Sequence, residues 1–98
     1  MRIISEKQLR EFWEKHPAAE AALRQWIKVV KAADWHTTAD LRATFNSADF
    51  YCNCVIFNVG GNNFRIIAKV AYGIKVVFIR FVLTHREYDE KKWQSDCK

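Results

Sequence analysis

The chain has 98 residues, half of them hydrophobic, and carries a formal net charge of +5 at pH 7. That length makes one domain rather than two, and the apolar share supplies a core without staples. Three cysteines (Cys52, Cys54 and Cys97) show no secreted disulfide framework and Cys52-x-Cys54 is no zinc pattern, while no apolar run nears the roughly 18 residues of a membrane span.

The N-terminus also lacks the apolar core of a signal peptide. A soluble protein of the reducing cytosol is expected, and its basic balance favours nucleic acid or an acidic protein partner. Arg2-Ile3-Ile4 reads as a small strand. Ser5 is placed to cap a helix, with Glu6 suiting its dipole, and Leu9, Phe12 and Trp13 make one apolar stripe. Pro17 closes that helix and opens the next, which runs to about Lys31 with Ala22, Leu23, Trp26, Ile27 and Val30 on one face. The two should form a helical hairpin, with Trp13 and Trp26 in the core. After a connection over 32–36, Thr37 and Asp40 have the spacing of a capping box, and Leu41 and Phe45 give a short third helix its apolar side.

Three β-rich runs follow: Cys54 to Val59, Asn63 to Ala71, and Lys75 to Leu83. Gly60-Gly61-Asn62 and Tyr72-Gly73 supply the turns of an antiparallel meander. Helices fall at about 5–45, the sheet at about 54–84, and a short polar tail follows. An α+β domain spanning 1–98 is predicted, with N-terminal helices on one face of an antiparallel sheet.

From Phe50 to Arg86 there is no Asp or Glu, but there are Arg65, Lys69, Lys75, Arg80 and Arg86, which together equal the whole net charge. Alternation puts Phe64, Ile66, Ala68 and Val70 on the core face, and Arg65, Ile67 and Lys69 on the other. Arg65 and Lys69 are therefore expected to point outward, about 13 Å apart at ~3.3 Å per residue. On the third strand parity leaves two sets open. If Ile79 and Phe81 pack on the helices, Arg80 joins Arg65. A basic floor with His85 and Tyr88 at its rim suits phosphodiester chemistry without a metal or other cofactor. Arginine forks bind phosphate, imidazole moves protons near neutrality, and a 2′-hydroxyl can attack the adjacent phosphorus. Each residue also has a plainer reading: Lys69 and Lys75 as a solvated face, His85 as a structural strand end, Tyr88 as a core cap. His16 and His36 read as structural, with no partner at useful spacing.

Two motifs then converge. Phe57-Asn58-Val59-Gly60-Gly61-Asn62-Asn63-Phe64-Arg65, and Ile79-Arg80-Phe81-Val82 with Thr84-His85-Arg86-Glu87-Tyr88-Asp89, resemble the HigB toxins, ribosome-dependent mRNA interferases of the RelE-like superfamily. The opening residues 1–17 and Phe45-Asn46-Ser47-Ala48-Asp49 are similar as well, so the resemblance covers about residues 1–90. It implies a compact RelE-like fold, cleavage of mRNA in the ribosomal A site, and neutralisation by a HigA-like helix-turn-helix antitoxin. Operator DNA would be met only through that antitoxin, and a membrane not at all. By position, Arg65 and Arg80 match the motif arginines that hold the scissile phosphate, His85 a proton-transfer residue, and Tyr88 a stacking or auxiliary group. Lys69, with Lys75, Arg86, Lys91 and Lys92, is assigned to RNA or ribosome binding. Two other functions fit the same charge pattern: a non-catalytic RNA- or ribosome-binding module, and an interaction protein for an acidic partner segment.

Overall fold

The β-branched and aromatic runs become strands, and short turns fold them back on one another. In the computed structural model, which describes residues 1–98, β1 (Arg2–Ile4) precedes α1 (Glu6–Lys15), a 3₁₀ turn (Pro17–Ala19), α2 (Glu20–Ala32) and α3 (Thr38–Thr44). The sheet follows as β2 (Asp49–Tyr51), β3 (Cys54–Val59), β4 (Phe64–Ala71) and β5 (Val76–Thr84). A short helix, α4 (His85–Asp89), and a 3₁₀ segment (Lys92–Cys97) complete the chain. The five strands lie in the order β1-β5-β4-β3-β2, with β1 parallel to β5 and every other pair antiparallel. The expected meander is thus the centre of a wider α+β sheet. Phe50, outside the three expected strands, lies in β2 and pairs with Val55.

The β3–β4 turn needs its glycine. Gly60 has φ +62°, and a Cβ there would meet the Phe64 ring at 3.0 Å. Tight approach and left-handed backbone together select glycine.

Above one face lie the helices. Leu9 and Trp13 from α1, and Leu23, Trp26 and Val30 from α2, bury against Val55, Phe57, Ile66, Ala68, Val77 and Ile79. Trp35, in the connection between α2 and α3, is also buried, edge-on to Phe45 and stacked near Phe57. Thr37 and Asp40 form the expected capping box on α3. Ser5 occupies the cap position of α1 without capping it: its backbone is left-handed (φ 72°) and its side chain accepts no bond from the helix.

The opposite face is not open. Cys54, Ile56 and Ile67 form a second cluster with Trp93 and Cys97, flanked by Tyr51, Phe81, Leu83 and Tyr88. The segment read as a polar tail lies across the sheet and covers it. The reason is hydrophobic: a row of Ile and Phe side chains would otherwise face water, and Trp93 is the large apolar group available to shield them. Cys54 and Cys97 form a disulfide across a separation of 43 residues, a pairing that no framework pattern in the sequence indicated; Cys52 stays free and exposed.

Candidate active site on the covered face of the sheet

The site begins where β5 runs into α4. Thr84 caps that helix: its hydroxyl accepts from the Glu87 amide at 3.2 Å, while the Glu87 carboxylate accepts from the Thr84 amide at 2.9 Å. This is a full capping box, and the pattern Thr84-x-x-Glu87 could have revealed it. The box sets the first helical position, and that position is His85. The His85 amide donates to the Asn63 carbonyl at 3.0 Å, tying α4 to the β3–β4 turn. Its imidazole is exposed, with Nε2 3.4 Å from Asp89 one turn on.

Arg65 comes from the neighbouring strand, opposite Leu83. It was expected on an open floor but is only 8 % exposed. Its Nη1 donates to the carbonyls of Asn62 (2.5 Å) and Phe64 (3.3 Å), and its guanidinium lies 4.9 Å over the Tyr88 ring. Tyr88 in turn stacks on Trp93, with ring centroids 5.2 Å apart and 9° between planes. The Trp93 indole N–H donates to the Tyr88 carbonyl at 2.9 Å. The burial follows from this stack, which the C-terminal segment completes. Carbonyls and a ring hold the guanidinium in place, and no carboxylate lies within salt-bridge distance to neutralise it.

Arg80 reaches the same face by a different device. The β4–β5 register slips between Ile67 and Ala68, which pair with Phe81 and Ile79. Arg80 is the extra, unpaired residue of a β-bulge, a feature that re-aims side chains. Ile79 therefore packs under the helices while Phe81 packs on the opposite face. Parity alone offered either both or neither. Beyond the bulge, Arg80 makes a two-pronged pair with Asp96: Nε to Oδ2 and Nη2 to Oδ1, each 2.8 Å. Lys69 Nζ stands 4.0 Å from the same carboxylate. The Arg80 hydrogen bonds hold the Asp96 carboxyl below its ordinary range, and Asp96 raises Arg80 in turn. Nothing in the sequence pattern marks Asp96 as a partner of Arg80, sixteen residues away.

The other expected residues scatter. Arg86, Lys91 and Lys92 are exposed near α4, with Lys92 3.6 Å from Glu90. Lys75 sits at the far end of β5, nine residues or about 30 Å from Thr84 at the strand rise. There it bonds Asp34 at 2.8 Å and donates to the Trp35 carbonyl at 3.2 Å. The Lys75 hydrogen bond holds the Asp34 carboxyl low. His36 shares this cluster, 3.1 Å from Lys75 Nζ and 3.3 Å from Asp34, so it does have partners. His16 stacks on Phe12 at 4.4 Å and borders a cleft of about 280 Å³ on the helix side, away from Arg80. A second cleft, about 290 Å³, is lined by Phe81, Leu83, Glu87, Glu90, Lys92 and Trp93. No group of three His, Cys, Asp or Glu side chains converges as metal ligands would.

Two arginines, a lysine and a phenol thus lie along the covered face of β4 and β5, with Arg65 and Tyr88 near the start of α4, where His85 stands, and Arg80 and Lys69 further along the strands. Residues 19–91 match the HigB toxin family, described as the RelE-like toxic component of a toxin-antitoxin system. The chain belongs to that family. Among its relatives, an mRNA interferase HigB of Escherichia coli O6:H1 is 32% identical over 93 residues, covering 92% of this chain and 90% of the relative. The mRNA interferase toxin HigB of Escherichia coli K12 is 33% identical over 92 residues, covering 91% and 88%. An mRNA interferase HigB of Shigella flexneri matches to the same extent. A toxin of this HigB type implies an antitoxin as partner. No helix of the chain is long and apolar enough to cross a membrane.

Proposed function

We propose that this toxin is a ribosome-dependent mRNA endoribonuclease of the cytoplasm, cutting by 2′-hydroxyl attack and inhibited by a HigA-like helix-turn-helix antitoxin. The observation that carries this reading is Arg65. A buried guanidinium without a carboxylate is costly unless an anion arrives to meet it. Here the anion is the scissile phosphate. Arg80 and Lys69 flank it, and the negative charge that grows on the phosphorane is met by fixed donors.

His85 moves the proton. In one order of events its imidazole takes the 2′-hydroxyl proton, the 2′-oxygen bonds to phosphorus, the bond from phosphorus to the 5′-oxygen breaks, and the imidazolium gives the proton to that departing oxygen. The products are a 2′,3′-cyclic phosphate and a 5′-hydroxyl. Asp89, at 3.4 Å, orients the imidazole. Tyr88 is the platform that levels Arg65, and the cleft beside Trp93 has room for a neighbouring base. Side chains alone supply this chemistry. Placement in the ribosomal A site rests on the family resemblance, and Arg86, Lys91 and Lys92 are the exposed cations positioned for ribosomal RNA.

The test is mapping of 5′ ends on an mRNA under translation. Wild type should introduce cuts that His85→Ala loses. A triple Ala variant of Arg65, Arg80 and His85 that still cuts sinks the assignment. Salt-sensitive ribosome binding without any cut would favour the binding module instead. An acidic-partner role draws on Asp96, which shows that this face accepts a carboxylate.

A further inference from the structure

The C-terminal segment sits on the residues assigned to the reaction. Asp96 satisfies Arg80 through two hydrogen bonds and stands 4.0 Å from Lys69. Trp93 stacks on Tyr88, which supports Arg65. Arg80, Lys69 and Tyr88 meet the segment directly and Arg65 through Tyr88, while His85 pairs with Asp89 instead. The Asp96 carboxylate thus holds the place where an RNA phosphate would bridge Arg80 and Lys69. One covalent tie secures it: the disulfide from Cys97 to Cys54 in β3, reinforced where the Asn53 amide donates to the Cys97 carbonyl at 3.0 Å.

We propose that residues 92–97 are an autoinhibitory clasp locked by Cys54–Cys97, closed in the oxidised protein and opened by reduction. This rests on the nuclease reading of the same face. A dithiol reductant of the thioredoxin class donates two electrons and two protons. One of its thiolates attacks a sulfur of the pair, the Sγ–Sγ bond breaks through a mixed disulfide, and two protein thiols and an oxidised dithiol result. Both sulfurs are buried, so attack waits on fraying of the 3₁₀ segment.

Once the tie is cut, only non-covalent contacts hold the segment: the packing of Trp93, a few backbone hydrogen bonds and the Asp96–Arg80 pair. The Asp96–Arg80 pair is partly exposed and competes with water and with any polyanion. A 3₁₀ run of six residues has little stability of its own. RNA, offering a phosphate where the clasp offers one carboxylate, displaces it. The oxidised form cannot yield in this way, because release would leave Cys97 tethered to the sheet.

The test uses the full chain in a Cys52→Ser background, since the exposed thiol would otherwise exchange with the disulfide. Peptide mass mapping identifies the Cys54–Cys97 link in air-oxidised protein. Amide hydrogen exchange at residues 93–97 then reads the clasp, and cutting of translated mRNA reads the site. Reduced protein and Cys97→Ser should exchange these amides on the order of 100-fold faster than oxidised protein. Both should also cut at least ~10-fold faster. Reduced protein without that substitution serves as the control should Cys97→Ser fold poorly. Equal exchange in both redox forms, failure of the link to form, or oxidised protein cutting as fast as reduced, each overturns the clasp. If no form cuts while exchange still differs, the nuclease reading falls and the redox-released segment stands.

Discussion

Arg65 is held at one edge by the Asn62 and Phe64 carbonyls and from beneath by Tyr88, so it serves the turn as well as the proposed chemistry. Arg65→Ala should cost about 1–3 kcal/mol through carbonyls left without a donor, read as a lower urea midpoint. Arg65→Lys keeps the charge but loses the planar fork. Cutting should then fall by roughly 100-fold while ribosome binding changes little; unchanged cutting would remove Arg65 from the site. Asp96 sets a pH limit. Its carboxyl lies below the ordinary value because Arg80 bonds it. A depressed carboxyl contributes stability that is complete above the unfolded value, near 3.9, and is lost as pH falls through the folded one. The clasp should therefore be unchanged from pH 5 to 8 and loosen below about pH 4. Trp93 fluorescence across that range checks it, with Asp96→Asn expected to abolish the acid limb.

At the scale of elements, the two capping boxes and the bulge do the positioning. Thr84→Ala removes one half of the box that starts α4, and should cost about 1 kcal/mol. Because His85 is the first residue of that helix, cutting should drop further than this loss of stability explains. Thermal melts beside cutting rates separate the two effects. Gly60→Ala combines a left-handed backbone with a 3.0 Å approach to Phe64. It should cost about 1–2 kcal/mol. The bulge at Arg80 has a different consequence. It lets Ile79 and Phe81, two residues apart, serve opposite faces of one strand. A regular strand would have sent either Arg80 or Phe81 to the wrong side.

The whole molecule has a core on each side of the sheet, and they differ in origin. The larger is built from the N-terminal helices, and the smaller depends on Trp93 and the disulfide. Closing a loop of 43 residues is worth about 4 kcal/mol in the chain-entropy account. Cys97→Ser should therefore lower the denaturant midpoint of air-oxidised protein. In a dithiol buffer the gap should nearly close, since the wild type then lacks the link too. A gap of the same size in both buffers would mean that the effect comes from packing of the sulfur alone. Charge is also divided on this scale. The acid-free stretch 50–86 holds the net +5, but the fold spreads it along β4 and β5: Lys75 precedes β5, Lys69 lies opposite Phe78, Arg80 in mid-strand, and Arg65 opposite Leu83 near the start of α4.

Local chemistry was enough to place the two N-terminal helices, the α3 cap, the three central strands and the core face of β4. Each depends on residues a few positions apart: a helical stripe, a Thr-x-x-Asp spacing, a period of two, a glycine turn. The motif residues around Arg65 and His85 were legible for the same reason. Other features required the folded chain. β1 joins β5 as a parallel neighbour across more than seventy residues. A bulge is a property of a pair of strands, so β5 alone could not say where Arg80 points. Asp96 meets Arg80, and Cys97 meets Cys54, only because uncovered Ile and Phe side chains draw the C-terminal segment across the sheet. Sequence alone therefore determined the elements and the cations. Tertiary structure decided that Arg65 is buried and that Lys69 and Arg80 meet the protein's own C-terminal segment, because hydrophobic cover is settled by surfaces that no short stretch of sequence contains.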